Sequence, residues 1–131
     1  RSYISNELKV FKVKKFIDDR GRLSELLKSK IQGQVFFSTT NPQFVRGNHF
    51  HTKKIERFCV LKGKALISIK KVGTEKIKEF IISGEDYAVI DMPVWYTHNL
   101  KNIGEDELIC AFWMNDIMDG DTDDDTIFLK V

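Results

Sequence analysis

Short strand-like runs, separated by turn residues at regular intervals, constrain the fold of this chain more than any other feature. Glycines at positions 63, 73, 84 and 104 stand in polar surroundings and separate these runs. The runs cover residues 57–61, 65–72, 76–82, 87–91, 98–102 and 107–114. Strands with a turn about every ten residues are typical of a β-sandwich or barrel. Because no long window shows the roughly 3.6-residue apolar period of a helix, we predict an all-β fold.

The N-terminal third predicts further strands. Residues 7–16 are rich in β-branched and aromatic side chains and alternate in part, which indicates a first strand. We expect a turn over residues 18–21, because Asp and Gly tolerate turn conformations. The next segments are residues 23–27, a strand or a single helical turn; residues 34–39, a strand; and residues 44–51, a strand that follows a break at Asn41-Pro42.

An acidic run near the C-terminus precedes the last predicted strand, residues 126–131. Aspartates at alternate positions from 119 to 123 mimic the start of an EF-hand calcium loop. However, Asp124 stands where that loop needs glycine, and Lys130 stands where it needs a bidentate glutamate. We therefore predict a solvated loop rather than a calcium site.

The composition indicates one globular domain that covers residues 1–131. Of its residues, 42% are hydrophobic and 31% are charged, which is typical of a soluble globular chain. The formal net charge is only +2, which gives no electrostatic reason to expect nucleic-acid binding. No apolar run approaches the ~20 residues of a membrane span, so we expect no contact with a membrane.

The cysteines and the chain start bear on the compartment and on the chain's context. Cys59 and Cys110 each lie within an apolar run. We expect two buried free thiols rather than a disulfide, in a cytoplasmic protein. No signal peptide is visible, and the sequence starts with Arg1 rather than Met. We therefore expect a trimmed chain or a domain cut from a longer one.

All three histidines of the chain fall into a pattern that suits a metal ion. His49 and His51 are separated by one residue and point the same way in an extended strand. Glu56 lies at an odd offset from both, so it joins them only if the chain turns at residues 52–54. His98 would come from a distant strand. Three imidazoles and one carboxylate suit a divalent transition metal, with one or two positions left open.

These residues resemble the two motifs of the cupin family, which are small jelly-roll β-barrels with one metal site. The first motif reads His, any residue, His, three or four residues, Glu, six residues, Gly, and it matches His49, His51, Glu56 and Gly63. The second reads Pro, any residue, Gly, two residues, His, three residues, Asn. It matches Pro93, His98 and Asn102, but Trp95 replaces its glycine and Tyr87 replaces its opening glycine. We expect the first departure to alter a turn and to narrow the mouth of the barrel.

A narrower resemblance concerns cupins that act on nucleotide-linked keto sugars. Residues 19–25, Asp-Arg-Gly-Arg-Leu-Ser-Glu, look like a pattern near the start of those proteins. Three further sets look like one branch in particular: residues 46–51, Lys54 with residues 56–58, and residues 112–116. That branch is the C-terminal cupin domain of two-domain capsular-polysaccharide enzymes that make the N-acetyl-L-fucosamine precursor. The resemblance covers the chain from about residue 10 to its end.

The resemblance implies a function. It implies a single cupin-type β-barrel that forms a homodimer. The barrel would bind a divalent metal, with zinc as our first choice, through His49, His51, Glu56 and His98. The reaction would be epimerisation at C3 of a UDP-linked 4-keto-6-deoxy-N-acetylhexosamine. In that family a Rossmann-type reductase domain precedes the cupin. This chain has no G-x-G-x-x-G after a strand, so we expect no nicotinamide chemistry here.

Epimerisation beside a ketone needs a base and an acid on opposite faces of the sugar. The metal would act as a Lewis acid or would only shape the pocket; without metal, His49 or His51 would be the base. Tyr96 shares a strand face with His98, so its phenol is a candidate proton donor; the alternative is an aromatic at the barrel rim. Lys54 is a candidate base by resemblance; the alternative is an exposed turn lysine.

Substrate contacts are expected from arginines and one tryptophan. Arg46 lies three residues before His49, so only a bulge or turn at Gly47-Asn48 would bring both to one face. There it would bind a pyrophosphate. Arg20 and Arg22 are candidates for the same role, and ordinary surface ion pairs are the alternative. Trp95 would stack on the uracil or cap the barrel.

Two other functions fit the same sequence. One is a sugar-nucleotide 3,4-ketoisomerase, in which the proton returns to a different carbon. The other is a sugar-binding cupin without catalysis. Hydrogen exchange into a 4-keto sugar nucleotide separates catalysis from binding, and the product's stereochemistry separates the two reactions.

Overall fold

Two antiparallel sheets form the part of the chain that a computed structural model describes, which is residues 8, 10, 12–29, 33–115 and 126–131. The strands there are β1 Phe16–Asp18, β2 Gly21–Ser29, β3 Gly33–Thr40, β4 Val45–His51, β5 Glu56–Lys62, β6 Lys64–Lys71, β7 Ile77–Ser83, β8 Val89–Met92, β9 Tyr96–Asn102, β10 Leu108–Met114 and β11 Thr126–Phe128. The first sheet has the order β1-β2-β3-β10-β5-β8, and the second has the order β11-β4-β9-β6-β7. The all-β prediction is confirmed.

The hydrophobic core joins the two sheets. On β5 the inward positions Phe58 and Val60 are buried, and on β6 the inward positions Ala65 and Ile67 are buried. They pack with Met92, Leu108 and Cys110 in one cluster. Such alternation is what a strand with one buried face requires. The expected free thiols fit this picture, because Cys110 is buried and Cys59 half-buried, and neither forms a disulfide.

The expected first strand over residues 7–16 is wrong in its described part. Of that range, residues 8, 10 and 12–15 lie outside any strand, and pairing begins only at Phe16. Leu8 and Val10 are almost fully exposed, so β-prone side chains alone did not produce a strand without a sheet edge to pair with. The predicted turn at residues 18–21 is present, because Asp18 pairs with Gly21 across it.

Most other boundaries agree with the turn spacing to within one or two residues. The ambiguous segment 23–27 belongs to the strand β2, which pairs with β3 through an irregularity between Glu25 and Leu27. The last strand is shorter than predicted and ends at Phe128. The acidic run over residues 116–125 lies outside the described residues. The described residues include no helix with the length and apolarity that crossing a membrane requires.

Both non-glycine residues at the cupin glycine positions keep a left-handed backbone. The φ angle is 51° at Tyr87 and 64° at Trp95, a region that glycine adopts at little cost and other residues adopt with strain. Trp95 is half exposed, and its ring packs against Phe50 with centroids 5.6 Å apart and an interplanar angle of 30°. At Trp95 the side chain departs from the motif, while the backbone adopts the left-handed conformation that glycine favours.

Candidate metal centre and its cavity

Four side chains from three strands converge on one point between the sheets. His49 and His51 project from β4, Glu56 opens β5, and His98 lies on β9 directly opposite His49 in the pairing register. One ligand atom from each of the four lies within 4.8 Å of the others. The chain does turn between His51 and Glu56, as this arrangement requires. His51, Glu56 and His98 are buried, and His49 is half-buried.

Hydrogen bonds orient the donor atoms. The Nδ1–H of His98 donates to the carbonyl oxygen of Tyr96 at 3.2 Å, which turns Nε2 toward Glu56 at 3.7 Å. The Nε2 of His51 lies 3.3 Å from the same carboxylate oxygen. In metal-binding histidines one ring nitrogen typically donates to a carbonyl or carboxylate oxygen and leaves the other free for the metal, as His98 does with the Tyr96 carbonyl oxygen.

The electrostatics favour the unprotonated ligand forms of two of these residues. Burial and, next, the charge of the neighbouring His98 together lower the pKa of His49 to about 4. Burial by itself would raise the pKa of Glu56, but the His51 and His98 imidazoles beside it lower this pKa to about 2. At neutral pH the centre therefore offers a carboxylate and at least one neutral imidazole, which are the forms that bind metal ions.

The residues fit a divalent transition metal. The Nδ1 of His51 and the Nε2 of His98 are buried nitrogens with no hydrogen-bond partner in the part of the chain that the structure describes. A buried polar atom without a partner is costly, and a metal ion beside Glu56 would satisfy the Nε2 of His98, which faces that carboxylate. Three imidazole nitrogens and one carboxylate oxygen suit zinc and its neighbours in the first transition row.

A cavity of about 410 Å³ opens from the four ligands. Both sheets line it, and most of its wall is apolar. The apolar lining consists of Leu23, Phe36, Phe58, Leu100, Cys110, Phe112, Met114 and Phe128. Phe36 and Phe112 stack across neighbouring strands with centroids 5.4 Å apart. A cavity of this size with a few converging polar groups is typical of a small-molecule site.

Two of the three expected arginines reach this cavity. Arg46 lines it together with His49, because β4 changes register between Gly47 and His49; the bulge predicted at Gly47-Asn48 is present. Arg46 is anchored by hydrogen bonds to the Oγ1 of Thr40 and the carbonyl oxygen of Thr39. Arg20 also lines the cavity and pairs with Asp18.

The remaining expected site residues are placed elsewhere. Arg22 pairs with Glu107 outside the lining. Lys54 is buried rather than an exposed turn lysine, and its charge contributes to the low pKa of His49, but it does not line the cavity. The Tyr96 ring packs against the hydrophobic core. Trp95, packed against Phe50, is not part of the lining either.

The sequence reasoning missed Thr126 and Phe128, which line the cavity from β11. Their alternation across Ile127 was visible in the sequence. The pairing of β11 with β4, which brings them to the metal centre, connects residues about 80 positions apart. No local pattern could have indicated that pairing.

Comparison with known proteins agrees with this architecture. The sequence pattern of the polysaccharide biosynthesis C-terminal domain matches residues 16–127. Over 107 residues the chain is 33% identical to UDP-2-acetamido-2,6-beta-L-arabino-hexul-4-ose reductase from Pseudomonas aeruginosa, which covers 82% of this chain and 29% of that protein. The chain therefore spans less than a third of that relative.

Solved structures show the same fold. The capsular polysaccharide assembling protein CapF from Staphylococcus aureus superposes with a TM-score of 0.89 at 36% identity, over 93% of this chain and 33% of CapF. The oxalate decarboxylase of Lactobacillus farciminis superposes with a TM-score of 0.71 at 20% identity, over 89% of this chain and 33% of that one. The second match supports the fold alone. The predicted cupin-type barrel is confirmed.

Proposed function

This chain belongs to the family of polysaccharide biosynthesis C-terminal domains, and on that premise we propose that it is a metal-binding sugar-nucleotide 3-epimerase domain. Its substrate would be a UDP-linked 4-keto-6-deoxy-N-acetylhexosamine. The observation that carries the proposal is the position of the buried cluster His49, His51, Glu56 and His98 in a cavity that two arginines also line. The Pseudomonas aeruginosa relative supports the substrate class, because its name describes a UDP-linked hexul-4-ose.

The four clustered residues would hold a divalent ion, with zinc as the first choice. Such an ion would supply Lewis-acid stabilisation of negative charge on the oxygen next to the reacting carbon. The protein's own part is to hold the ligands in place. Without metal, Glu56 accepts a hydrogen bond from the Nε2–H of His51, and the Tyr96 carbonyl oxygen fixes the ring of His98. Tyr96 thus serves the site through its backbone, and its phenol would need to leave the core to donate a proton.

Proton transfer at C3 requires a group that is unprotonated at neutral pH and faces the substrate. Among the expected candidates, His49 and His51 line the cavity, and the pKa of His49 is about 4. We assign the base to His49 or His51 for the case in which no metal is bound, since a bound ion would use both imidazoles as ligands. Lys54 is assigned a positioning role, since its buried charge lies near His49.

Substrate binding is assigned to Arg46 and Arg20. A guanidinium binds phosphate oxygens in a bidentate manner, and Arg46 is held in place by the backbone of β3. Burial and the nearby Arg20 lower the pKa of Arg46, although it stays protonated at any physiological pH. Two neighbouring cations that both line the cavity suit a dianionic diphosphate. The apolar wall around Phe36 and Phe112 suits the methyl group of a deoxy sugar.

The relatives that this chain matches are about three times its length. We therefore propose that a reductase domain, fused or separate, acts on the product of this domain. We also propose that the domain works as a homodimer in the cytoplasm. No nicotinamide site is proposed for residues 1–131.

The test is deuterium incorporation from D2O at C3 of the UDP-linked 4-keto-6-deoxy-N-acetylhexosamine, followed by NMR with and without a chelator. Exchange that the chelator abolishes supports metal-dependent proton transfer. Exchange that survives assigns the chemistry to a side chain and makes the metal structural. Deuterium in a 3-keto product indicates the ketoisomerase. Binding without exchange indicates a sugar-binding cupin and overturns the proposal.

A further inference from the structure

The C-terminal strand forms one wall of the cavity. In β11, Thr126 pairs with His51 and Phe128 pairs with His49 of the neighbouring strand β4. Because side chains alternate along a strand, Thr126 and Phe128 share a face, and both line the cavity, whereas Ile127 does not. The register of this strand thus places one aromatic ring beside the metal ligands.

The strand is held in place by the bulge that also shapes the metal centre. The backbone N–H of Leu129 donates to the carbonyl oxygen of Asn48 at 2.9 Å. The backbone N–H of Val131 donates to the side-chain Oδ1 of Asn48 at 3.1 Å. The hydroxyl of Thr97 donates to the carbonyl oxygen of Leu129. Asn48 itself adopts the left-handed conformation, with φ at 58°. Phe128 is therefore positioned by the pairing of β11 with β4 and by the hydrogen bonds that follow it, not by burial of its own ring.

The Phe128 ring is open toward the substrate side of the centre. It is 79% exposed although it lines the cavity, and its centroid lies 6.3 Å from that of His49 with an interplanar angle of 74°. Among the four ligands His49 is the one that is only half-buried. The accessible side of the centre therefore lies next to Phe128.

We propose that Phe128 contacts the sugar ring of the substrate and sets how that ring is presented to the metal centre. This inference rests on the proposed function. An aromatic ring packs well against the C–H face of a pyranose, because both surfaces are apolar and flat. In a UDP-sugar the diphosphate separates the uracil from the sugar, so the ring next to the reacting centre is the sugar. Phe128 is a specificity-determining residue in this arrangement.

The experiment compares two probes, UDP-N-acetylglucosamine and UDP, by calorimetry on the zinc-loaded chain. The variants are Phe128→Ala, Phe128→Tyr and, as the matched control, Ile127→Ala on the opposite face of the same strand. We expect Phe128→Ala to weaken the UDP-sugar by roughly three- to tenfold and to leave UDP unchanged. Phe128→Tyr, which keeps the ring, and Ile127→Ala should both bind like the parent chain.

Other outcomes overturn the inference. An equal loss for UDP means that the ring contacts the nucleotide or only shapes the mouth. A loss of zinc in Phe128→Ala, measured by elemental analysis, means that the ring serves the metal ligands. Unchanged affinity for both probes, or a parent chain that binds neither, rules out the contact. None of these readouts needs turnover. If the UDP-sugar binds as expected here but no deuterium is exchanged, the epimerase proposal fails and the contact with Phe128 stands.

Discussion

Arg46 and His49 line the same cavity although they are three residues apart on one strand. In a regular strand they would point to opposite faces. The register shift between Gly47 and His49 brings both to the inside. Gly47 makes this possible, with φ at 102°, and a Cβ built there would lie 2.7 Å from the carbonyl oxygen of His98. One glycine therefore couples the phosphate-binding candidate to the metal ligands.

Gly47→Ala should disturb both functions of this strand. We expect a loss of at least about 2 kcal/mol in the free energy of unfolding. The new methyl group would meet the backbone of β9, and an alanine at this position would have to adopt a strained φ. Metal content should fall as well. Gly73→Ala is the matched control, since φ there is 86° and nothing lies within 4 Å of the added Cβ. Chemical denaturation and elemental analysis of both variants check this, and equal effects would contradict it.

Removal of a ligand should lower bound metal. We expect Glu56→Ala and His98→Ala each to contain well below one ion per chain, because each removes one of four converging donors. Glu79→Ala, which removes an exposed carboxylate on β7, is the control and should keep full occupancy. Elemental analysis after gel filtration gives the stoichiometry. Full occupancy in both ligand variants would refute the ligand set.

The sequence predicted the strands and the ligand set from local features. Turn glycines marked the strand ends, and the single-residue spacing of His49 and His51 fixed their common face. What it could not predict depends on contacts between distant segments. The β-prone segment before Phe16 forms no strand in its described part, because it pairs with no sheet edge. Lys54 is buried, and Trp95 packs against Phe50 instead of lining the cavity. Phe128 reached the centre only through the pairing of β11 with β4.

The stability of the metal-free protein should fall as the pH drops below neutrality. The pKa of His49 is lowered from 6.5 to about 4 in the folded protein, so between these values the unfolded chain binds a proton that the folded state does not. The free energy of unfolding therefore decreases as the pH falls through this window, by about 2 kcal/mol at pH 5. Glu56 extends the decrease below pH 4.5, since its pKa is about 2.

Urea denaturation in EDTA at pH 7 and pH 5 measures this dependence. His49→Gln provides the comparison, because glutamine does not titrate. The fall between pH 7 and pH 5 should be smaller in this variant by about the amount attributed to His49. The same fall in both proteins would show that His49 does not carry the effect.

Arg46 and Arg22 should differ in their effect on nucleotide binding. Arg46 lines the cavity, whereas Arg22 pairs with Glu107 outside it. We expect Arg46→Gln to weaken UDP binding by about 10- to 100-fold, because it removes charge-assisted hydrogen bonds to phosphate. Arg22→Gln should bind UDP within about twofold of the parent chain, since an exposed ion pair contributes little. Calorimetry at a fixed salt concentration tests both, and equal losses would place the phosphates elsewhere.

The homodimer predicted from the sequence has a physical basis in the sheet edges. β7 ends one sheet and β8 ends the other, and both expose apolar side chains, among them Ile81 at 61% and Val89 at 52%. Exposed apolar edge strands tend to pair with another chain. Light scattering at micromolar concentration should therefore give about 30 kDa, twice the chain mass of 15.2 kDa. Ile81→Lys should shift the protein toward the monomer, while Glu79→Gln on the same strand also raises the charge by one and should not. A clean monomer for the parent chain would refute the dimer.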